Sequence, residues 1–160
     1  MVYIIEAKPT DSDIRRLIDE LDDYQRKLYP DESNHLDSIE ELVKPNVYFV
    51  AAYDDNSSKN QAIGCAAIKY STEAQMEKYG EIKRLYVSES ARGRGVSKQL
   101  ISTLELHALN QNVLMVRLET GIYQLEAIGL YQKLGYQKIS AFGPYSNEEP
   151  FSVFMEKEFI

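Results

Sequence analysis

Short runs of alternating or continuous apolar residues take turns along the chain with longer runs in which apolar positions recur every three to four residues. Val2 to Glu6 is a β-rich run. Thr10, Asp11, Ser12 and Asp13 then offer N-cap residues ahead of Ile14, Leu17, Ile18, Leu21, Tyr24 and Leu28, a helical stripe that Pro30 ends. A polar elbow from Tyr29 to His35 leads to a shorter helical pattern, Ser38 to Val43, closed by Pro45. Asn46 to Tyr53 and Ala62 to Tyr70 read as strands joined by the polar hairpin loop Asp54 to Asn60. The second of these strands holds Gly64, Cys65, Ala66 and Ala67, small residues that let another element or ligand come close.

The stretch from Gly80 to Ser97 organises the rest. A strand, Glu81 to Val87, runs through an arginine- and glycine-rich turn with Gly93 and Gly95 into a helix from Val96 to about Asn110. Val96, Leu100, Leu104, His107 and Ala108 share its buried stripe, which makes His107 a packing residue. A helix that begins where glycines bare the backbone presents unpaired N–H donors and the positive end of its dipole, a setting for a pyrophosphate. Val113 to Glu119 is the next strand, Leu125 to Leu134 a helix capped by Gly135, Tyr136 to Ala141 an extended segment and Phe151 to Phe159 a last strand. Strand-helix-strand units without an internal repeat or linker give one mixed domain over residues 1–160.

Composition narrows the function. The 160 residues, 44% of them hydrophobic, suit a single core. A formal charge of −7 opposes binding to nucleic acid, which relies on clustered Lys and Arg. The single cysteine, Cys65, excludes an intrachain disulfide and a cysteine metal cluster, and two dissimilar histidines suggest no metal site. No apolar run approaches the roughly 20 residues of a membrane span, and Met1 to Lys8 lacks a signal-peptide pattern, so the expectation is a cytoplasmic protein without membrane contact.

Two motifs carry a family likeness. Arg92-Gly93-Arg94-Gly95-Val96-Ser97, five residues after Val87, resembles the Arg/Gln-x-x-Gly-x-Gly/Ala signature of the GNAT superfamily of acyl-coenzyme A-dependent N-acetyltransferases, with serine at the last position. Ala127-Ile128-Gly129-Leu130-Tyr131-Gln132-Lys133-Leu134-Gly135-Tyr136 resembles its second signature, with Gln124 where many members have Asn. Further stretches, Leu118 to Gly121 and Ala141 to Met155, are similar to those of a group of bacterial members, many without an established substrate. The resemblance implies an α/β (α+β) fold with a mixed, mostly antiparallel sheet of about six or seven strands and four helices. It also implies transfer of an acetyl group from acetyl-CoA to a primary amine by direct attack in a ternary complex. The acceptor would be a small-molecule or peptide amine, and a homodimer is compatible with the family. A non-catalytic acyl-CoA-binding regulatory module on the same fold is the alternative.

The same likeness assigns residues. Backbone N–H groups of Gly93, Gly95, Ser97 and Lys98 would meet the pyrophosphate, with Arg92, Arg94 and Val96 around them. Leu85, Tyr86 and Val87 would line the pantetheine arm, the Leu85 N–H receiving the thioester carbonyl, and Gln124 would complete the cofactor set. Tyr131 would lie near the coenzyme sulfur and protonate the departing thiolate. Glu81 would serve as general base, directly or through water, because an alkylammonium must lose a proton before it attacks; a strand-end ion pair with Lys83 or Lys78 is the plain alternative. Strict alternation puts Glu81, Lys83, Leu85 and Val87 on one face and Ile82, Arg84 and Tyr86 on the other. Tyr29 and His35, with Asp31, Glu32 and Ser33 in the elbow, and Tyr145 before the last strand, would border the acceptor.

Overall fold

The structure, a computed structural model, describes residues 1–34 and 36–160. Its elements in order are β1 (Val2–Glu6), α1 (Ser12–Leu28), α2 (Ile39–Leu42), β2 (Val47–Asp54), β3 (Gly64–Tyr70), β4 (Gly80–Val87), α3 (Val96–Asn110), β5 (Met115–Gly121), α4 (Leu125–Lys133), β6 (Gln137–Ile139) and β7 (Ser152–Glu158). Seven strands form one sheet in the order β1-β2-β3-β4-β5-β7-β6. Every neighbouring pair is antiparallel except β4 and β5. This is the mixed, mostly antiparallel sheet with four helices expected from the sequence.

Side-chain alternation decides which helix covers which face. Phe49 and Ala51 of β2, with Cys65 and Ala67 of β3, turn toward Ile14, Leu17 and Ile18 of α1 and Leu42 of α2. Val50, Ala52, Ala66 and Ile68 turn the other way, toward Val96, Leu100, Ile101 and Leu104 of α3. Both faces of β3 are therefore covered, and its small residues are what brings the helices close: a Cβ at Gly64 would sit 3.2 Å from Leu100 and 3.3 Å from Val96. His107 is a packing residue as expected, stacked on Tyr48 with ring centroids 3.7 Å apart and hydrogen-bonded to Tyr70.

Two strand starts differ from the sequence reading by two residues, each for a local hydrogen-bond reason. Ala62 donates its N–H to the Asp13 carboxylate at 2.9 Å, so β3 begins at Gly64. The Val113 N–H closes the end of α3 by donating to the Ala108 carbonyl, with Asn112 at φ +59°, and β5 begins at Met115.

The larger difference lies in β4. Its register against β3 runs Ile82 to Ile68 and Lys83 to Ala67, then shifts to Tyr86 against Cys65 and Val87 against Gly64. Arg84 and Leu85 share the space opposite Ala66, and Arg84 has φ +57°. This β-bulge inserts one residue and reverses the parity of everything after it. The expectation that Glu81 shares a face with Leu85 and Val87 is thus overturned. Leu85 and Val87 join Ile82 on the α3 face, while Tyr86 packs on the α1 face with Lys83's neighbour Ala67.

Candidate active site

The parallel pair β4 and β5 is joined over three register pairs, Gly80 with Val116, Glu81 with Arg117 and Ile82 with Leu118. Beyond them the strands separate, and a cleft of about 110 Å³ opens. Glu81 to Leu85 line it from β4, Glu119 to Gly121 from β5, Gln124, Ala127 and Tyr131 from α4 and its N-terminus, and Tyr29 and Tyr145 from connecting segments. The bulge leaves Arg84 and Leu85 without register partners on β3, and β5 has already parted from β4 at this height. Leu85, one of the two bulge residues, lines the cleft beside this gap.

Arg84 explains how a non-glycine residue is held at positive φ. Its Nε and Nη2 both donate to the Asp37 carbonyl, at 3.2 and 2.6 Å, and its Nη1 pairs with Asp22 of α1. The guanidinium fork joins α1, the α1–α2 connection and the bulge at one point.

Glu81 is buried, with 7% of its surface exposed. Its Oε2 accepts from the Tyr145 hydroxyl at 2.5 Å and from Lys83 Nζ at 3.3 Å. Lys83 Nζ also donates to the Tyr145 oxygen at 3.0 Å and pairs with the Asp37 carboxylate at 3.1 Å, which uses the three donors of an ammonium. The strand-end ion pair with Lys83 is present, in the same place as the cleft. Burial and the adjacent Glu81 push the Tyr145 phenol well above its usual range, so it stays a donor.

Tyr131 reaches the cleft from α4, the helix closed by Gly135 at φ +98°. It is buried at 5% exposure, and burial, with a smaller contribution from Glu119, raises its phenol above the ordinary value. Among the described residues its hydroxyl has no hydrogen-bond partner. A protonated phenol with an unused donor at a cleft wall can give that proton to a bound group.

The glycine turn lies between the end of β4 and the start of α3. Gly93 and Gly95 stand at φ +80° and +75°, and a Cβ at either would meet nothing within 4 Å. No packing asks for glycine there; the left-handed backbone and an open approach do. The first amide of α3 with a backbone acceptor is Gln99, donating to Gly95 at 3.1 Å, so those of Val96, Ser97 and Lys98 are directed outward. Arg92 donates Nε to the Val87 carbonyl at 3.0 Å and lies over the Tyr86 ring, and Arg94 donates to Asp54 at 2.7 Å. Open glycines, outward amides and a helix dipole fit a diphosphate.

Comparison with known proteins bears on this arrangement. Residues 14–136 match the acetyltransferase (GNAT) family. The chain belongs to this family. It is 39% identical over 156 residues to a protein of Azospirillum brasilense named IAA acetyltransferase, covering 98% of this chain and 97% of that one. A crystal structure of a Klebsiella pneumoniae protein assigned as an acyl-CoA N-acyltransferase superposes with a TM-score of 0.80 at 35% identity, covering 100% and 99% of the two chains. A Bacillus anthracis protein assigned as a streptothricin acetyltransferase, solved with acetyl-coenzyme A, is 25% identical with a TM-score of 0.61 and covers 79% of this chain and 70% of its own. The protein is thus an acetyltransferase of the GNAT family.

Of the residues singled out in the sequence, Glu81, Leu85, Gln124, Tyr131, Tyr29, Ser33 and Tyr145 meet at the cleft, while Asp31 and Glu32 are exposed and do not line it. His35 lies outside the described residues. The Gln124 side-chain oxygen accepts from the Gly121 N–H at 3.0 Å and so is committed to the β5–α4 turn. Asp37, Arg84 and Glu119 were missed as site residues, and Lys83 entered only as an ion-pair partner. Lys83 had a signal, a cation two positions from Glu81 on the same face; Asp37 had none, since only the fold brings it there.

Proposed function

We propose that this enzyme transfers acetyl to a primary amine in a ternary complex, with Glu81 as general base and Tyr131 as general acid. The observation that carries the reading is the convergence of these two groups, from β4 and α4, on the cleft where β4 and β5 part. Acetyl-CoA supplies an acetyl thioester. In this chain the outward amides after Gly95 would hold its diphosphate, and the Leu85 N–H at the bulge would take the thioester carbonyl oxygen.

Glu81 Oε2 is occupied by Tyr145 and Lys83, whereas Oε1 has no partner among the described residues and is the oxygen that takes a proton from the ammonium. Tyr131 gives its hydroxyl proton to the departing sulfur. Cys65 does not enter: it is fully buried and burial pushes its thiol up to about 12, so an acyl-cysteine route lacks a thiolate. The reading places the enzyme in the cytoplasm of a bacterium, supported by bacterial relatives and a sequence with a single cysteine.

The test is release of free thiol from acetyl-CoA across a panel of primary amines, polyamines and amino acids, with IAA included because of the name of the A. brasilense relative. Turnover on an amine with intersecting, sequential initial-rate patterns is expected. Ping-pong patterns, or coenzyme binding without turnover on any acceptor, would overturn it.

A further inference from the structure

The residues around Glu81 do more than neutralise it. Tyr145 comes from the loop before β7, 64 positions away in sequence, yet its hydroxyl sits 2.5 Å from the carboxylate. Lys83, with 9% of its side chain exposed, touches Glu81, Tyr145 and the Asp37 carboxylate at once. A buried lysine is costly unless all its donors are used, and here all three are. The ring of Tyr145 is itself fixed, packed at centroid distances of 5.3 Å against both Phe142 and Phe154. Two donors therefore converge on one oxygen, Oε2, and they are hydrogen-bonded to each other, Lys83 Nζ donating to the Tyr145 hydroxyl oxygen at 3.0 Å.

We propose that Lys83 and Tyr145 are positioning residues for the acetyl transfer: they clamp Glu81 by Oε2 and leave Oε1 as the proton-accepting atom. The inference rests on the reading of Glu81 as the base. A carboxylate with a cation and a phenol donor on one oxygen cannot rotate without breaking two hydrogen bonds. The other charged and titratable groups that border it are Lys69 of β3 and Arg117 of β5, its register neighbours, with Asp37, Tyr79 and Glu119. Asp37 does not compete for the same role, because its carboxylate is shared between Lys83 at 3.1 Å and Lys69 at 3.4 Å.

The experiment measures kcat and KM for wild type, Tyr145→Phe, Lys83→Met, Lys83→Arg and Glu81→Gln, and for Tyr145→Phe in the Glu81→Gln background. Loss of either donor should lower kcat about tenfold with little change in the KM for acetyl-CoA. Lys83→Arg should restore most of the lost kcat. Tyr145→Phe keeps the ring and its packing, so it remains informative if Lys83→Met does not fold. In the Glu81→Gln background Tyr145→Phe should cost less than twofold. An unchanged kcat in Tyr145→Phe, alongside a large loss in Glu81→Gln, would overturn the clamp while leaving the base in place. Full activity in Glu81→Gln would instead overturn the base, and the clamp with it.

Discussion

Gly121→Ala is the sharpest perturbation of the cleft that involves no reacting group. A Cβ at Gly121 would lie 1.8 Å from the Tyr29 hydroxyl oxygen, 2.1 Å from its Cζ and 2.7 Å from its Cε2. The ring cannot swing freely away: it is 5% exposed, stacked on Tyr123 at 5.6 Å and edge-on to Phe151 at 6.1 Å, and its hydroxyl accepts the Tyr123 N–H at 3.1 Å. Displacing it costs about 1 kcal/mol for the hydrogen bond and roughly 1–3 kcal/mol for overpacking, so about 2–4 kcal/mol in all. Unfolding entropy of about 2.1 cal/mol/K per residue over 160 residues gives roughly 0.34 kcal/mol/K, hence a Tm lower by roughly 6–12 °C. Differential scanning calorimetry measures this directly. Tyr29→Leu removes the atoms in conflict, and in that background Gly121→Ala should cost under about 1 kcal/mol. Since Tyr29 lines the cleft, the acceptor KM should rise in Gly121→Ala while the acetyl-CoA KM holds. A Tm within 2 °C of wild type, on the order of the smallest shift expected for about 1 kcal/mol, or an equal loss in both backgrounds, would refute the steric account.

The remaining predictions concern the turn, the acid, the thiol and acid stability. Gly95→Ala meets no atoms but must hold φ +75°, so it should lower stability by about 1–2 kcal/mol and raise the acetyl-CoA KM about tenfold, read by initial rates. Tyr131→Phe should lower kcat by roughly 10- to 100-fold with stability within about 1 kcal/mol of wild type, because its hydroxyl has no protein partner among the described residues to lose. Cys65→Ala should keep turnover, and native Cys65 should resist alkylation near neutral pH, as a thiol pushed up to about 12 does. Asp54 is held down to about 2, first by the Arg94 guanidinium and then by the Asn56 N–H. A lowered carboxylate pKa stabilises the fold above its ordinary value near 3.8 and loses that contribution as the pH falls toward 2. Arg94→Gln should therefore unfold at a higher pH in acid titrations followed by circular dichroism, the difference vanishing below about pH 2.

Much of this architecture is legible from residue periodicity. The stripe Ile14, Leu17, Ile18 and Leu21 is buried as its spacing requires, Gly135 caps α4 in the left-handed region, and Gly93 and Gly95 bend the turn where an anion would sit. What the pattern conceals has a physical cause in each case. Alternation assumes an unbroken ladder, and nothing in Lys83-Arg84-Leu85 announces a bulge, because the residue at positive φ is an arginine secured by Asp22 and Asp37 rather than a glycine. The partners of Glu81 come from Tyr145 and, through Lys83, from Asp37, contacts made by chain folding across large sequence separations. Gly121 reads as an ordinary strand end until the Tyr29 ring is seen to occupy the space of its missing Cβ.

Removal of the proton from the incoming amine by Glu81 is the step on which the proposed mechanism turns. The direct measurement is the ratio of kcat/KM for wild type to that for Glu81→Gln, followed from pH 7 to pH 10 with a saturating level of acetyl-CoA and an amine of pKa near ~10. The ratio should be about 10²–10⁴ at pH 7 and shrink toward one near pH 10, where the amine deprotonates unaided. A ratio near one at pH 7, or one that stays constant across the range, would contradict the role assigned to Glu81.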